Sequence, residues 1–288
     1  MTYRLLFVLA CCATSMVNAN PDVTSREYKL MLDASQFSYN SEYSDVQDLI
    51  DDVETAVESA LSRSVTGTPQ LTKQRTVMFF DVQGSCDLNA AGYSFRERVD
   101  NNQSEVTLKF RSQDRYISDF EDVSSSTNGA ETKLEADIGK SSEAPIKIVY
   151  GHSTKAPNTR TINKVDDIHA HFPEFENDYG WNDNTSLSLV GNLTVHERVY
   201  KDVFIDLGQH DAELSVTLWY NAAPTQSSSP IVAEVSFKYE DSSADYTRKV
   251  VNRALDAFSA MQGLTSWVDN NALTKTRFVY QYDNSFCN

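Results

Sequence analysis

A chain of 288 residues with 40% apolar content is long enough to bury a sizeable core, as one large β-rich domain or two modest ones, and its formal charge is −16. So acidic an exterior repels long nucleic acids at range, which argues against them as partners. Beyond the first residues no stretch approaches the roughly 20 apolar residues of a membrane-spanning helix, so no membrane span is expected.

Arg4 precedes the apolar run 5–10, and Val17-Asn18-Ala19 supplies the small residues that a signal peptidase reads. The expectation is an export leader over 1–19, a single domain over 20–288, and a secreted or periplasmic product. The alternative is a lipoprotein anchored at Cys11 or Cys12. In either case Cys86 and Cys287 remain in an oxidising compartment. They form one disulfide, worth roughly 4 to 5 kcal/mol in the chain-entropy picture, or two buried thiols. Asn102, Asn184 and Asn192 open Asn-x-Ser/Thr sequons, which matter in a eukaryotic secretory pathway.

In chain order, 27–32 alternates Tyr28, Leu30 and Leu32 with Glu27 and Lys29, a strand with one charged face. Ser44 with Gln47 gives a capping-box signature, and the spacing from Val46 to Leu61 predicts an acidic amphipathic helix to about Arg63. Thr66 to Pro69 reads as a loop and 74–81 as a strand. The stretch 93–111 predicts a hairpin turning at Asn101 and Asn102. Its one face carries Phe95, Val99, Val106, Leu108 and Phe110, and its other carries Arg96, Arg98, Lys109 and Arg111. Like charges crowded across neighbouring strands repel, so an anion is expected between them.

After a loop at 122–130, a strand at 131–138 repeats the pattern with Lys133, Glu135 and Asp137, its charged face mostly acidic. Residues 152–192 carry no clear period. His169-Ala170-His171 beside Asp166 and Asp167 lacks wider zinc spacing and reads as a surface connection. Strands resume at 193–207, where strand phase makes Arg198 a lumen candidate, at 214–218 and at 231–239, where Glu234 and Lys238 oppose Val235, Phe237 and Tyr239. A helix over 243–262 stops at Gly263, and a closing strand over 274–282 offers Arg277.

A charged face that recurs on so many strands is best satisfied by turning it inward. The fold class expected is therefore mainly β (α+β), a closed antiparallel β-barrel or tunnel with amphipathic helices packed outside. The competing architecture is an open β-sandwich with one wet face.

The order Glu27-Tyr28-Lys29, Phe80-Asp81, 92–98, 106–109, Lys133 to Asp137 and Ala233 to Lys238 resembles the CYTH superfamily, the triphosphate tunnel metalloenzymes related to thiamine triphosphatase and class IV adenylyl cyclase. The resemblance implies an eight-stranded tunnel that hydrolyses a triphosphate or short polyphosphate with Mg²⁺ or Mn²⁺. It implies that Lys29, Arg96, Arg98, Lys109, Lys133 and Lys238 grip phosphate, with Arg111 and Arg198 added from strand phase. Glu27, Glu135, Asp137 and Glu234 hold metal, and Glu27, Lys29, Glu135 and Glu234 form the catalytic set. Arginine offers forked hydrogen bonds to phosphate and lysine a point charge.

This chain departs from the family pattern at Ser25 and Ser236, where carboxylates are expected, and at Val82, which follows Asp81 in place of threonine. Hydroxyls are poorer ligands for a hard dication. The alternative function is a non-catalytic barrel that binds a phosphorylated or polyanionic ligand. A carrier of apolar ligands would need an oily lumen, which the recurrent charge contradicts.

Overall fold

The computed structural model describes residues 22–140 and 144–288. The leader expected over 1–19, with its alternative anchors Cys11 and Cys12, lies outside them. The fold is mainly β, and its strands form one sheet bent into a ring with helices on the outer surface. No helix among the described residues is long and apolar enough to cross a membrane.

The first strand, β1 (Ser25–Leu32), is followed by helix α1 (Glu42–Leu61) and the long strand β2 (Val65–Asp81). A short helix α2 (Asp87–Ala90) leads into the hairpin of β3 (Tyr93–Asp100) and β4 (Gln103–Ser112). Asn101 and Asn102 both have positive φ, 49° and 61°, the twist that a two-residue hairpin turn requires. Next come α3 (Arg115–Phe120), β5 (Glu131–Gly139), β6 (Lys147–Pro157), α4 (Asp166–His169) and α5 (Pro173–Tyr179). The remainder is β7 (Ser188–Leu189), β8 (Val195–Asp206), β9 (Asp211–Tyr220), β10 (Val232–Glu240), α6 (Arg248–Gln262) and α7 (Lys275–Tyr282).

The strand order is β3-β4-β6-β5-β1-β10-β9-β8-β2-β7, and a further pairing of β2 with β3 closes the ring. β7 pairs with the far end of β2, so it lengthens the wall and lies outside the circuit. The ring is not wholly antiparallel: β1 runs parallel to β5 and antiparallel to β10.

Because side chains alternate across a strand, the oily residues of β1, β3, β4, β5 and β10 mostly point out and their ionic ones in, whereas β2, β8 and β9 also turn Phe79, Val195 and Trp219 inward. Tyr28, Leu30, Leu32, Val235, Phe237 and Tyr239 form an outer core with Val46, Leu49, Ile50 and Val53 of α1 and with Val250, Ala254 and Phe258 of α6. Phe95, Val106 and Leu108 form a second core with Phe172 and Phe175. These two cores lie between ring and helices; a third joins Val77, Phe79, Val195 and Trp219 to Val279 and Tyr280 of α7 on the inner side, and the rest of the interior is left to charge.

Several elements differ from the sequence reading. Helix α1 begins at Glu42 after Ser41, because Asp45 binds back to the Ser41 hydroxyl (2.8 Å) and the Ser38 amide (2.9 Å); Ser44 lies inside the helix. The expected loop at Thr66 to Pro69 is part of β2. There the ladder skips between Gly67 and Gln70, which accommodates Pro69, and Gly67 (φ 107°) lies so close to the Asp202 carbonyl that no Cβ fits. Strand β6 was not legible because Gly151 and Ser153 interrupt its inward face between Val149 and Lys155. The closing segment is helix α7, with Val279 and Tyr280 buried together, since the ring closes without it and leaves no edge to pair.

Cys86 and Cys287 are bonded, with Cα atoms 5.2 Å apart across 201 residues of sequence, and this holds the chain's end against the turn after β2. Replacing both cysteines with alanine is expected to lower unfolding free energy by roughly 3 to 5 kcal/mol in a urea titration. An unchanged midpoint would mean that the bond stabilises nothing.

Candidate functional site

The ring encloses a cavity of about 1210 Å³. Its wall carries twelve lysines and arginines against eight aspartates and glutamates, so a protein of charge −16 keeps a cationic interior.

The charges are sorted by strand. On β3 and β4, Arg96, Arg98, Lys109 and Arg111 form a cationic arc; on β5 and β1, Glu135, Asp137 and Glu27 form an acidic one. Strand β6 separates the two and is small only at its middle, with Gly151 and Ser153 between Val149 and Lys155. Ser153 sits in register between Lys109 and Lys133, and Gly151 between Arg111 and Glu135. A Cβ at Gly151 would fall 2.3 Å from the Lys109 Cε and 2.6 Å from its Nζ. The missing side chain is thus the passage through which Lys109 crosses β6 to the acidic arc.

There Lys109 donates to Glu135 and to Asp137 (3.0 Å), and Lys29 pairs with Asp137 and Glu27, both at 2.8 Å. Lys133 caps Glu135, and the Arg111 Nε lies 3.6 Å from Asp137. Burial opposes ionisation of Glu135, yet the Lys109, Lys133 and Lys29 charges outweigh it and pull the carboxyl down to about 2. Burial likewise opposes Asp137, and Lys109, Lys29 and Arg111 hold it well below the usual carboxylate range. Lys29, although desolvated, is raised well above the usual lysine value by Asp137 and Glu27. Lys109 is lowered, first by burial and then by the neighbouring Arg111.

Arg96 has no such neutralisation. Its guanidinium donates to the Thr107 hydroxyl at 3.4 Å and lies 5.9 Å from the Phe79 ring centroid, but no carboxylate among the described residues pairs with it. Its Nε is shielded from solvent without a partner. Burial, then the Arg98 charge, depress it well below the usual arginine value. A desolvated cation beside other cations costs free energy, which a bound anion would recover.

Glu27, Glu135 and Asp137 bring one ligand atom each within 4.8 Å of one another, a hard-oxygen set that fits Mg²⁺ or Mn²⁺. Glu234, expected with them, pairs instead with Lys275 of α7 at 2.8 Å. Lys238 lines the cavity and pairs with Glu240 at 2.9 Å. Ser25 and Ser236 are buried on the lumen phase of β1 and β10, so the hydroxyls stand where additional carboxylates would have extended the acidic arc.

Arg198 is not in the lumen. It points outward from β8 to Glu42 of α1 (2.6 Å), which also accepts from Tyr200 and from Tyr220 (2.6 Å). The inward phase of β8 belongs to Glu197, almost wholly buried, which binds Arg75, accepts from the Trp219 indole (2.8 Å) and faces Arg98 at 4.0 Å. The signal was a carboxylate in the otherwise apolar series Val195, Glu197, Val199. Lys275 and Arg277 reach the cavity from α7, which strand periodicity could not foresee.

No known family profile matches this sequence, and no curated protein does. Solved structures follow a similar chain course. A candidate adenylyl cyclase from Hippeastrum, described as having a dominant triphosphatase activity, is 13% identical over 90% of this chain and 95% of that one, with a TM-score of 0.43. A candidate adenylate cyclase from Bacillus halodurans is 10% identical over 88% and 98%, with a TM-score of 0.39. A protein from Pyrococcus horikoshii is 8% identical over 85% and 95%, with a TM-score of 0.34. Likeness at this level is a distant relation of fold and assigns no residue a role.

The low value of Glu135 has a consequence for stability. Its carboxyl is near 2 when folded against 4.5 when free, so the stability it contributes is complete above about pH 4.5 and is lost as pH falls towards 2, on the order of 3 kcal/mol. Gly151→Ala, which blocks the passage of Lys109, is expected to shift the acid-unfolding midpoint upward, as Lys109→Met does. Both variants unfolding in acid like the wild type would disprove the coupling.

Proposed function

We propose that the lumen binds a triphosphate or short polyphosphate and hydrolyses it with Mg²⁺ or Mn²⁺, in the manner of the tunnel enzymes that the sequence resembles. The observation that carries this reading is Arg96, a lumen cation that no carboxylate among the described residues pairs with, set in an arc with Arg98, Lys109 and Arg111. A small, multiply charged anion meets that arc; a long polyanion is repelled by the acidic exterior before it can enter.

Glu27, Glu135 and Asp137 would hold the dication, and Lys29, which pairs with Glu27 and Asp137, would grip phosphate. When bound, the metal supplies charge neutralisation at the phosphoryl oxygens and orientation of a water. The chain's own part is to hold the anion in a field of cations fixed on neighbouring strands, where hydrogen bonds come from charged donors. Glu234 would join only if Lys275 gave it up.

A second reading, a non-catalytic receptor for the same class of anion, is favoured by one observation: lysines already neutralise the three carboxylates. Residues 1–19 are read as an export leader and 20–288 as one domain, and the Cys86–Cys287 bond supports an oxidising compartment.

Titrating inorganic tripolyphosphate into the protein calorimetrically, and measuring phosphate release with Mg²⁺, Mn²⁺ or EDTA, separates the readings. Metal-dependent release supports the hydrolase, and binding without release the receptor. Arg96→Ala is expected to weaken binding by about 1.5 to 3 kcal/mol; unchanged affinity in a folded variant would rule out a gripping role. Affinity is also expected to fall with rising pH before ordinary lysines titrate, because Lys109 loses its proton early.

A further inference from the structure

Outside the ring, α4, α5 and the turn that follows carry a second group of ligating side chains that the lumen does not use. His169, Glu176 and Asp183 recur every seven residues, and the fold brings one ligand atom of each within 4.8 Å of the others. We propose that these three residues form a site for a first-row divalent cation, zinc foremost, independent of the lumen.

The donor chemistry selects the ion. One imidazole and two carboxylates form a mixed nitrogen and oxygen set, which suits zinc or manganese, whereas calcium and magnesium favour oxygen alone. The His169 Nδ1 hydrogen-bonds the Asp183 Oδ1 at 2.8 Å, a contact that a cation would replace by moving the two atoms apart to the roughly 3.4 Å between tetrahedral ligands at about 2.0 to 2.2 Å from the metal. The imidazole is buried and its Nε2 is shielded without a partner, so all its polar contact is on the Nδ1 side, where Asp183 lies. Phe175, with its ring centroid 5.9 Å away, flanks the imidazole. Glu176 and Asp183 are exposed, which leaves an entry path and room for water ligands.

The surrounding charges point the same way. In the lumen the carboxylates are neutralised by lysines. Here, among the described residues, no lysine or arginine pairs with Glu176 or Asp183, although neighbouring acids are engaged: Asp166 with Arg160 (2.8 Å) and Lys164 (3.1 Å), and Asp167 with the Asn163 amide (3.0 Å). The second histidine of His169-Ala170-His171 is turned away, buried against Thr159 and the Asp167 carbonyl (2.8 Å). The ligands of His169 thus come from downstream, where no short motif would have pointed.

The test measures Zn²⁺ binding to the EDTA-treated full chain by equilibrium dialysis, with circular dichroism to check folding. Because His169 is buried and its replacement endangers the fold, the deciding variant is the exposed pair Glu176→Gln with Asp183→Asn. One equivalent of Zn²⁺ is expected in the wild type and in Glu135→Gln, which disables the lumen trio, and binding weakened by about tenfold or more in the double variant. A double variant that binds like the wild type, a wild type that binds no zinc, or a Glu135→Gln protein that loses all binding would overturn the proposal. None of these results bears on polyphosphate binding in the lumen.

Discussion

The seating of Lys109 against Glu135 and Asp137 is the contact on which the interior depends. A lysine from the cationic arc crosses an intervening strand to neutralise two carboxylates on the far side, and it can do so only because Gly151 has no side chain. The interior is thereby poised between two states of charge. Acids and lysines largely satisfy each other on one side, while on the other Arg96 remains desolvated and unneutralised. Such an arrangement is costly without an anion and favourable with one, which is a physical basis for affinity that buried area alone would not give.

That interior constrains the rest of the molecule. A ring whose lumen is given largely to charge holds only a small apolar cluster, around Phe79 and Trp219, so most oily faces must be covered from outside. Helices α1 and α6 cover one part, and α4 and α5 another. The buried Glu42, which accepts from Arg198, Tyr200 and Tyr220, ties the start of α1 to β8 and β9. Helix α7 adds Lys275 and Arg277 to the cavity wall, and the Cys86–Cys287 bond holds the segment that follows it. The helices thus serve the lumen indirectly by letting the strands spend their inner faces on ions.

The lumen and the His169 cluster differ in how their carboxylates are neutralised. In the lumen, lysines stand among the acids, so a dication must displace an ammonium or be introduced with an anion that draws the lysines away. At His169, Glu176 and Asp183 no lysine or arginine among the described residues is interposed, and the imidazole adds a nitrogen donor. Equal numbers of ligands within equal distances are therefore not equivalent sites.

Much of this was legible in the sequence because the side-chain period of a strand is local. Tyr28, Leu30 and Leu32 against Glu27 and Lys29, or Phe95 against Arg96, declare two faces without any knowledge of neighbours, and the recurrence of that pattern implies closure. What lay beyond sequence was set by contacts between distant strands. Arg198 and Glu197 are adjacent residues on opposite faces of one strand, and only the partners across space, Glu42 outside and Arg75 and Arg98 inside, decide which one belongs to the lumen. The same holds for β6, whose small inward residues have meaning only beside Lys109, and for the parallel pairing of β1 with β5. Alternation along a chain fixes which side chains share a face. Which faces meet, and therefore which charges find partners and which are left without, is decided by register between strands that the sequence keeps far apart.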